Sequence, residues 1–180
     1  MAERTHDLAA ANRRLEQMAN LDGLTGIANR RRLDEYLQTT WAQCRDRQRA
    51  LAVIVIDVDH FKQFNDSRGH LAGDQLLKDL VPLLLHCLRR SEDLLARYGG
   101  EEFLAVLPGA DAAVATDVAT AMWNEINQAA LGATISIGAA SWIPNGGDVS
   151  ALVKAADLAL YAAKNGGRNR VVFSENVGQR

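Results

Sequence analysis

The run Arg97-Tyr98-Gly99-Gly100-Glu101-Glu102-Phe103-Leu104-Ala105-Val106-Leu107 sets a glycine pair and two adjacent carboxylates between two short stretches of strand character, Leu94–Tyr98 and Phe103–Leu107. A Gly-Gly pair in that position predicts a tight hairpin, because both turn residues can take positive φ without a Cβ clash. Two neighbouring acids at its mouth repel each other unless a metal ion or a basic side chain compensates them. The glycines also leave room for a ligand to approach the backbone. Read alone, the same residues describe a solvated acidic hairpin equally well.

The flanking sequence supplies the fold. Leu51–Val58, LAVIVIDV, is a nearly continuous apolar run, the pattern of a strand covered on both faces at the centre of a sheet. Ahead of it, Asn20–Asn29 reads as a glycine-containing break and Arg30–Arg47 as an amphipathic helix with Leu33, Tyr36, Leu37, Trp41 and Cys44 inward. After it, His60–Gly69 reads as an irregular or one-turn segment. His70–Arg89 then reads as a long helix with Leu71, Leu76, Leu77, Leu80, Leu84 and Leu88 inward, kinked at Pro82. Beyond the hairpin come a helix over Asp111–Ala130, a strand over Ala133–Trp142, a helix from an N-cap at Asp148 to Lys164, and a short strand over Arg170–Phe173. The expected fold is α/β (α+β): a single domain with a central mixed sheet of about five strands flanked by helices. Residues 1–20 show a heptad-like seam of Leu8, Ala11, Leu15 and Met18, read as a coiled-coil helix or as a helix packed on its own domain. The expected division is 1–20 helical segment, 21–175 α/β domain and 176–180 tail.

Composition narrows the function classes. With 180 residues, 48% hydrophobic, 23% charged and a net charge of −2, the chain is an ordinary globular sequence with no basic footprint for nucleic acid. No Lys/Arg run favours a membrane surface, and no apolar run reaches the ~18 residues needed to span a bilayer. Cys44 and Cys87 read as buried thiols, and the expected location is the cytoplasm.

Asp57 and Asp59 close the apolar run, the end of a strand where α/β sheets collect ligands. If the hairpin lies beside that strand, Glu101 and Glu102 join them, and hard oxygen ligands of this kind suit Mg²⁺ with phosphate and water completing the shell. Lys62 could add a point charge near phosphates. Lys164 and Arg168, from KNGGRN, could do the same or simply complement a helix C-terminus. Asn65 and Asp74 carry the groups needed for a guanine edge, though their spacing proves nothing alone.

Seven runs together resemble a GGDEF-family diguanylate cyclase domain: DGLTGIANRRRL (Asp22–Leu33), DVDHFKQFND (Asp57–Asp66), GHLAGD (Gly69–Asp74), RYGGEEF (Arg97–Phe103), SIGAA (Ser136–Ala140), ADLALYAAK (Ala156–Lys164) and GRNR (Gly167–Arg170). The resemblance implies a palm-like nucleotide-cyclase fold and condensation of two GTP into cyclic di-GMP with loss of two pyrophosphates. It implies Mg²⁺ (Mn²⁺ as an alternative) on Asp57, Glu101 and the Val58 carbonyl, with Glu101 also assisting deprotonation of the ribose 3′-hydroxyl. Asn65 and Asp74 would read guanine. Phe61, Lys62, Gly100, Lys164 and Arg168 would surround the triphosphate. The roles of Asp59 and Glu102 are less defined. An RxxD at the family's spacing, Arg90 and Asp93, implies an inhibitory site for the product; the alternative is a solvated loop. The partners implied are GTP, cyclic di-GMP, a second copy in a homodimer and a sensor domain outside this chain, with no nucleic acid or membrane contact.

Overall fold

A computed structural model of the protein describes residues 20–174; residues 1–19 of the expected 1–20 helix and the 176–180 tail lie outside them. Five helices and five strands follow in the order α1 (Arg30–Asp46), β1 (Leu51–Val58), α2 (Phe61–Arg68), α3 (His70–Cys87), β2 (Leu94–Gly99), β3 (Glu102–Pro108), α4 (Ala112–Ala129), β4 (Ile135–Trp142), α5 (Val149–Asn165) and β5 (Val171–Phe173). The strands form one mixed sheet in the order β2-β3-β1-β4-β5, in which β4 and β5 run parallel and the other pairs antiparallel.

Every residue of β1 is buried, as a central strand covered on both faces requires. Its side chains divide by parity. Ala52, Ile54, Ile56 and Val58 face a core built with Leu76, Leu77, Leu80 and Leu84 of α3 and Met122 and Ile126 of α4. Leu51, Val53 and Val55 face a second core with Leu33, Leu37 and Trp41 of α1 and Leu152, Ala156 and Leu160 of α5. Asp57 continues the odd series, so it emerges on the α5 side. Both cysteines are free and buried. Among the described residues no helix is long and apolar enough to cross a membrane.

Three local readings change. His60–Gly69 is not an irregular turn but holds the eight-residue helix α2, entered through His60 at φ 56° and closed by Gly69 at φ 88°. It buries no residue fully, so no apolar stripe announced it; Phe61 and Phe64 lean on the core instead. Leu71 points to solvent, 87% exposed. It shares a helix face with Gln75 and Lys78, whereas the buried stripe of α3 runs through Gly73, Leu76, Leu77, Leu80 and Leu84. Pro82 sits on the exposed side of α3, and the helix continues past it to end at Cys87.

α5 lies so close to β4 that a Cβ on Gly138 would stand 2.1 Å from the Leu160 nitrogen and 2.2 Å from the Ala156 carbonyl. Backbone cannot yield as a flexible side chain can. Gly138→Ala is therefore expected to cost at least about 2–3 kcal/mol, in the range of overpacked cores. Urea unfolding followed by circular dichroism should show the midpoint drop with little change in m.

Candidate active site

β1 and β3 pair antiparallel with Asp57 opposite Glu102, while β4 sets Ser136 opposite Asp57 on the other side. The β2–β3 hairpin pairs Gly99 with Glu102, so the turn residues are Gly100 and Glu101 rather than the two glycines. Only Gly100 takes positive φ, 46°, and an irregularity at Tyr98 breaks the ladder between Arg97 and Gly99. The Val58 N–H donates to the Glu101 carbonyl at 3.3 Å. Asp57, Val58, Glu101 and Glu102 thus meet at one end of the sheet.

The turn is clamped from behind. Arg97 donates through Nε and Nη2 to the Gly100 carbonyl at 2.9 and 2.7 Å, and through Nη1 to Asp22 at 3.1 Å. Burial favours the neutral form of Asp22, yet bonds from the Thr25 hydroxyl and N–H, together with Arg97, hold its carboxyl below the ordinary value. The DGLTG run therefore buttresses the hairpin, a link the sequence did not disclose.

Charge at the site is under-compensated. Asp57 is 6% exposed and pairs with Lys164 Nζ at 2.8 Å. Burial lifts its carboxyl above the ordinary range; Lys164 pulls it down, and Glu101 and Asp59 push it up again. Burial and then Asp57 raise Glu102 in the same way, with Lys164 opposing. Among the described residues, no three His, Cys, Asp or Glu side chains converge tightly enough to hold a metal ion by themselves. Two carboxylates and a strand-end carbonyl still fit Mg²⁺, which uses few protein ligands when phosphate oxygens and water supply the rest.

Of the expected cations, Lys164 is the one that reaches a carboxylate, while Lys62 lies exposed on the first turn of α2 and Arg168 exposed in the loop after α5 at φ 63°. Asp59 is buried, with both oxygens occupied: Thr134 Oγ1 and Ser136 Oγ donate to it at 2.7 and 2.6 Å, and the Asn169 N–H at 3.0 Å. Asn65, on α2, lies against Gly73 of α3, the residue before Asp74. The Asn65 amide lies over Gly73, whose Cβ would stand 1.8 Å from Asn65 Oδ1 and 3.1 Å from Phe61 Cζ. That oxygen is buried without a donor. Gly73 was missed in the sequence; a glycine inside a helix pattern, costly relative to alanine, was its available signal.

Arg90 and Asp93 sit at the other end of β3. Arg90 Nη1 donates to the Pro108 carbonyl at 3.2 Å and its N–H to Asp93 Oδ2 at 3.1 Å. They line a cavity of about 340 Å³ with His86, Arg89, Asp117 and Glu125. Asp93 Oδ1 is buried without a donor, and burial raises the carboxyl above its ordinary value.

A family profile described as "Diguanylate cyclase, GGDEF domain" matches residues 19–170. The chain belongs to the GGDEF domain family. It is 38% identical over 169 residues to the probable diguanylate cyclase DgcC of Escherichia coli K12, covering 91% of this chain and 45% of that protein. It is 33% identical over 177 residues to the cyclic di-GMP phosphodiesterase PdeR of the same organism, covering 94% of this chain and 26% of that protein. The chain thus spans less than half the length of either curated relative. Among solved structures, the coiled coil and GGDEF domain of DgcB from Caulobacter crescentus, in complex with c-di-GMP, superposes with a TM-score of 0.86 at 32% identity, covering 96% of this chain and 94% of that one. The five-stranded mixed sheet is thus the GGDEF fold.

Because Glu102 is held above its ordinary value, the folded GGDEF domain retains a proton there that the unfolded chain has already released. Stability must fall as pH rises through the window between the two values. Glu102→Gln mimics the protonated form. It should melt higher than the parent in metal-free buffer at pH 7–8, by a few degrees at most for one partly exposed charge. The gain should vanish near pH 4, as differential scanning fluorimetry across pH would reveal.

Proposed function

We propose that this chain is a diguanylate cyclase that joins two GTP molecules into cyclic di-GMP and releases two pyrophosphates in the cytoplasm. The observation that carries the reading is the meeting of Asp57, at the end of β1, with the Gly100–Glu101 turn at one end of the sheet. Asp57, Glu101 and the Val58 carbonyl would hold Mg²⁺ (or Mn²⁺). When bound, the ion would draw charge from the α-phosphate and favour ionisation of the attacking 3′-hydroxyl. Glu101, on the turn, would accept the hydroxyl proton. Gly100, lacking a side chain, leaves the turn's backbone open to the triphosphate, and the backbone at Phe61, at the start of α2, would face the outer phosphates. Lys62, Lys164 and Arg168 are the cations that offset negative charge as pyrophosphate departs.

Asn65 and Asp74 recognise guanine in this reading. A buried acceptor without a donor costs about 1–3 kcal/mol, a cost that a base edge rich in N–H groups can relieve. Asp74 supplies further acceptors for such an edge. One domain holds one GTP, so ring closure requires two copies with their sites opposed, and residues 1–20 would raise their effective concentration as a coil ahead of a catalytic domain at 21–175. A sensor domain outside this chain would set that arrangement. The Arg90–Asp93 cavity would bind product: the guanidinium fork and the unpaired carboxylate oxygen suit phosphate and a guanine edge.

The second reading is a GGDEF domain that binds GTP without turnover inside a larger protein, favoured by the similarity to PdeR, whose matched portion is a quarter of its length. Incubation with GTP and Mg²⁺ followed by chromatography separates the two. Cyclic di-GMP should appear with the parent and vanish with chelator, and Glu101→Gln should cut turnover by about 10²-fold or more, as expected for loss of an electrostatic group at the reacting centre. Parental turnover in that variant would remove Glu101 from the mechanism; no product from the parent would favour the binding module. Gly73→Ala, which must displace the Asn65 amide, should weaken GTP binding roughly tenfold and narrow the preference over ATP. Arg90→Ala should leave initial rates intact and abolish inhibition by added cyclic di-GMP.

A further inference from the structure

Asp57 and Asp59 are two residues apart and chemically alike, yet their surroundings differ. Asp57 has a single cationic partner and a raised carboxyl. Asp59 is 3% exposed and accepts from three neutral donors on two different segments: Thr134 and Ser136, at and just inside the start of β4, and the backbone of Asn169 beyond α5. Asn169 is held again through its side chain, whose Oδ1 accepts from Trp123 Nε1 of α4 at 2.8 Å. The neighbouring Arg168 is fixed by its N–H to the Ala163 carbonyl at 3.0 Å and by Arg170 Nε to its own carbonyl at 3.1 Å.

The backbone explains why so many ties converge there. Arg168 and Asn169 take φ of 63° and 45°, two consecutive non-glycine residues in the left-handed region. Each is strained for a residue with a Cβ, and such a pair persists only where its surroundings over-determine it. Arg168 is left exposed in that turn, and the ties hold the backbone that carries it.

We propose that Asp59 is a positioning residue, which fixes the left-handed Arg168–Asn169 turn and so aims Arg168 at the terminal phosphates, instead of ligating a metal. The role rests on the GTP-binding reading above. Trp123 is the second anchor, on the far side of Asn169, reached through no carboxylate of the site.

The test uses calorimetry of the full chain with 3′-deoxy-GTP, which cannot be cyclised, and with GMP, which lacks the outer phosphates. Asp59→Ala and, independently, Trp123→Phe should weaken the triphosphate by about tenfold, the scale of one charge-assisted hydrogen bond, and leave GMP affinity within about twofold. Arg168→Ala should do the same, and adding it to either variant should bring little further loss, since all three act through one contact. The Mg²⁺ concentration giving half-maximal triphosphate binding should be unchanged by Asp59→Ala and raised by Asp57→Asn. Trp123→Phe keeps the test open should Asp59→Ala fail to fold. Additive losses, equal losses for GMP, or a shifted Mg²⁺ requirement in Asp59→Ala would overturn the assignment. Absence of nucleotide binding by the parent chain would instead overturn the cyclase reading, and this role with it.

Discussion

The register between β1 and β3 is the constraint on which the site depends. A slip of one residue would carry Glu102 to the opposite face and put Phe103 beside Asp57. Hydrophobicity alone does not forbid that slip, because β1 is buried throughout and β3 from Phe103 onward, so both faces accept apolar side chains. The turn forbids it. Gly100 reverses the chain at positive φ, the irregularity at Tyr98 fixes where the ladder restarts, and Arg97 holds the Gly100 carbonyl while bonded to Asp22. The Asp22–Arg97 pair lies mostly out of solvent and is reinforced by Thr25, conditions under which an ion pair specifies geometry better than an exposed one does.

That geometry has an electrostatic consequence. Pairing places Asp57 against Glu102 and leaves Glu101 close enough to disfavour ionisation of both. One lysine faces these acids, so the ligand-free fold carries repulsion that a purely structural sheet end would avoid. A divalent cation is the natural complement of such a deficit. The contact between α2 and α3 carries an unmet demand of another kind: Asn65 Oδ1 is buried with no donor, and the helix carries glycine at 73 to let it lie there.

Much of the fold was legible. Strand β1 announced itself through an unbroken apolar run, and α1, α4 and α5 through periodic stripes. What escaped has physical reasons. α2 buries nothing completely, so it lacks the stripe on which helix reading rests. Leu71 fitted the leucine count of α3 but not its phase. The hairpin was found, yet its turn fell one residue later than the glycine pair suggested, because one positive φ suffices when Arg97 secures the other half. The meeting of Asp57 with the hairpin could be anticipated as a condition on strand pairing. The supporting contacts could not: Asp22 is 75 positions from Arg97, and Asp59 is 110 from Asn169.

The contrast between Asp57 and Asp59 shows where sequence reading stops. An aspartate at a strand end is available to a ligand only if the protein leaves its oxygens unsatisfied, and that depends on donors arriving from elsewhere in the chain. Ser136 stands opposite Asp57 in the ladder but gives its hydroxyl to Asp59. With Thr134 and the Asn169 N–H it saturates the second acid and leaves the first facing Lys164. One carboxylate is thereby absorbed into the scaffold of the loop after α5, and its neighbour stays electrostatically unsettled. The two acids of the DVD run are accordingly not equivalent: the end of β1 leaves one facing Lys164 and the hairpin acids, and commits the other to donors from β4 and the loop after α5.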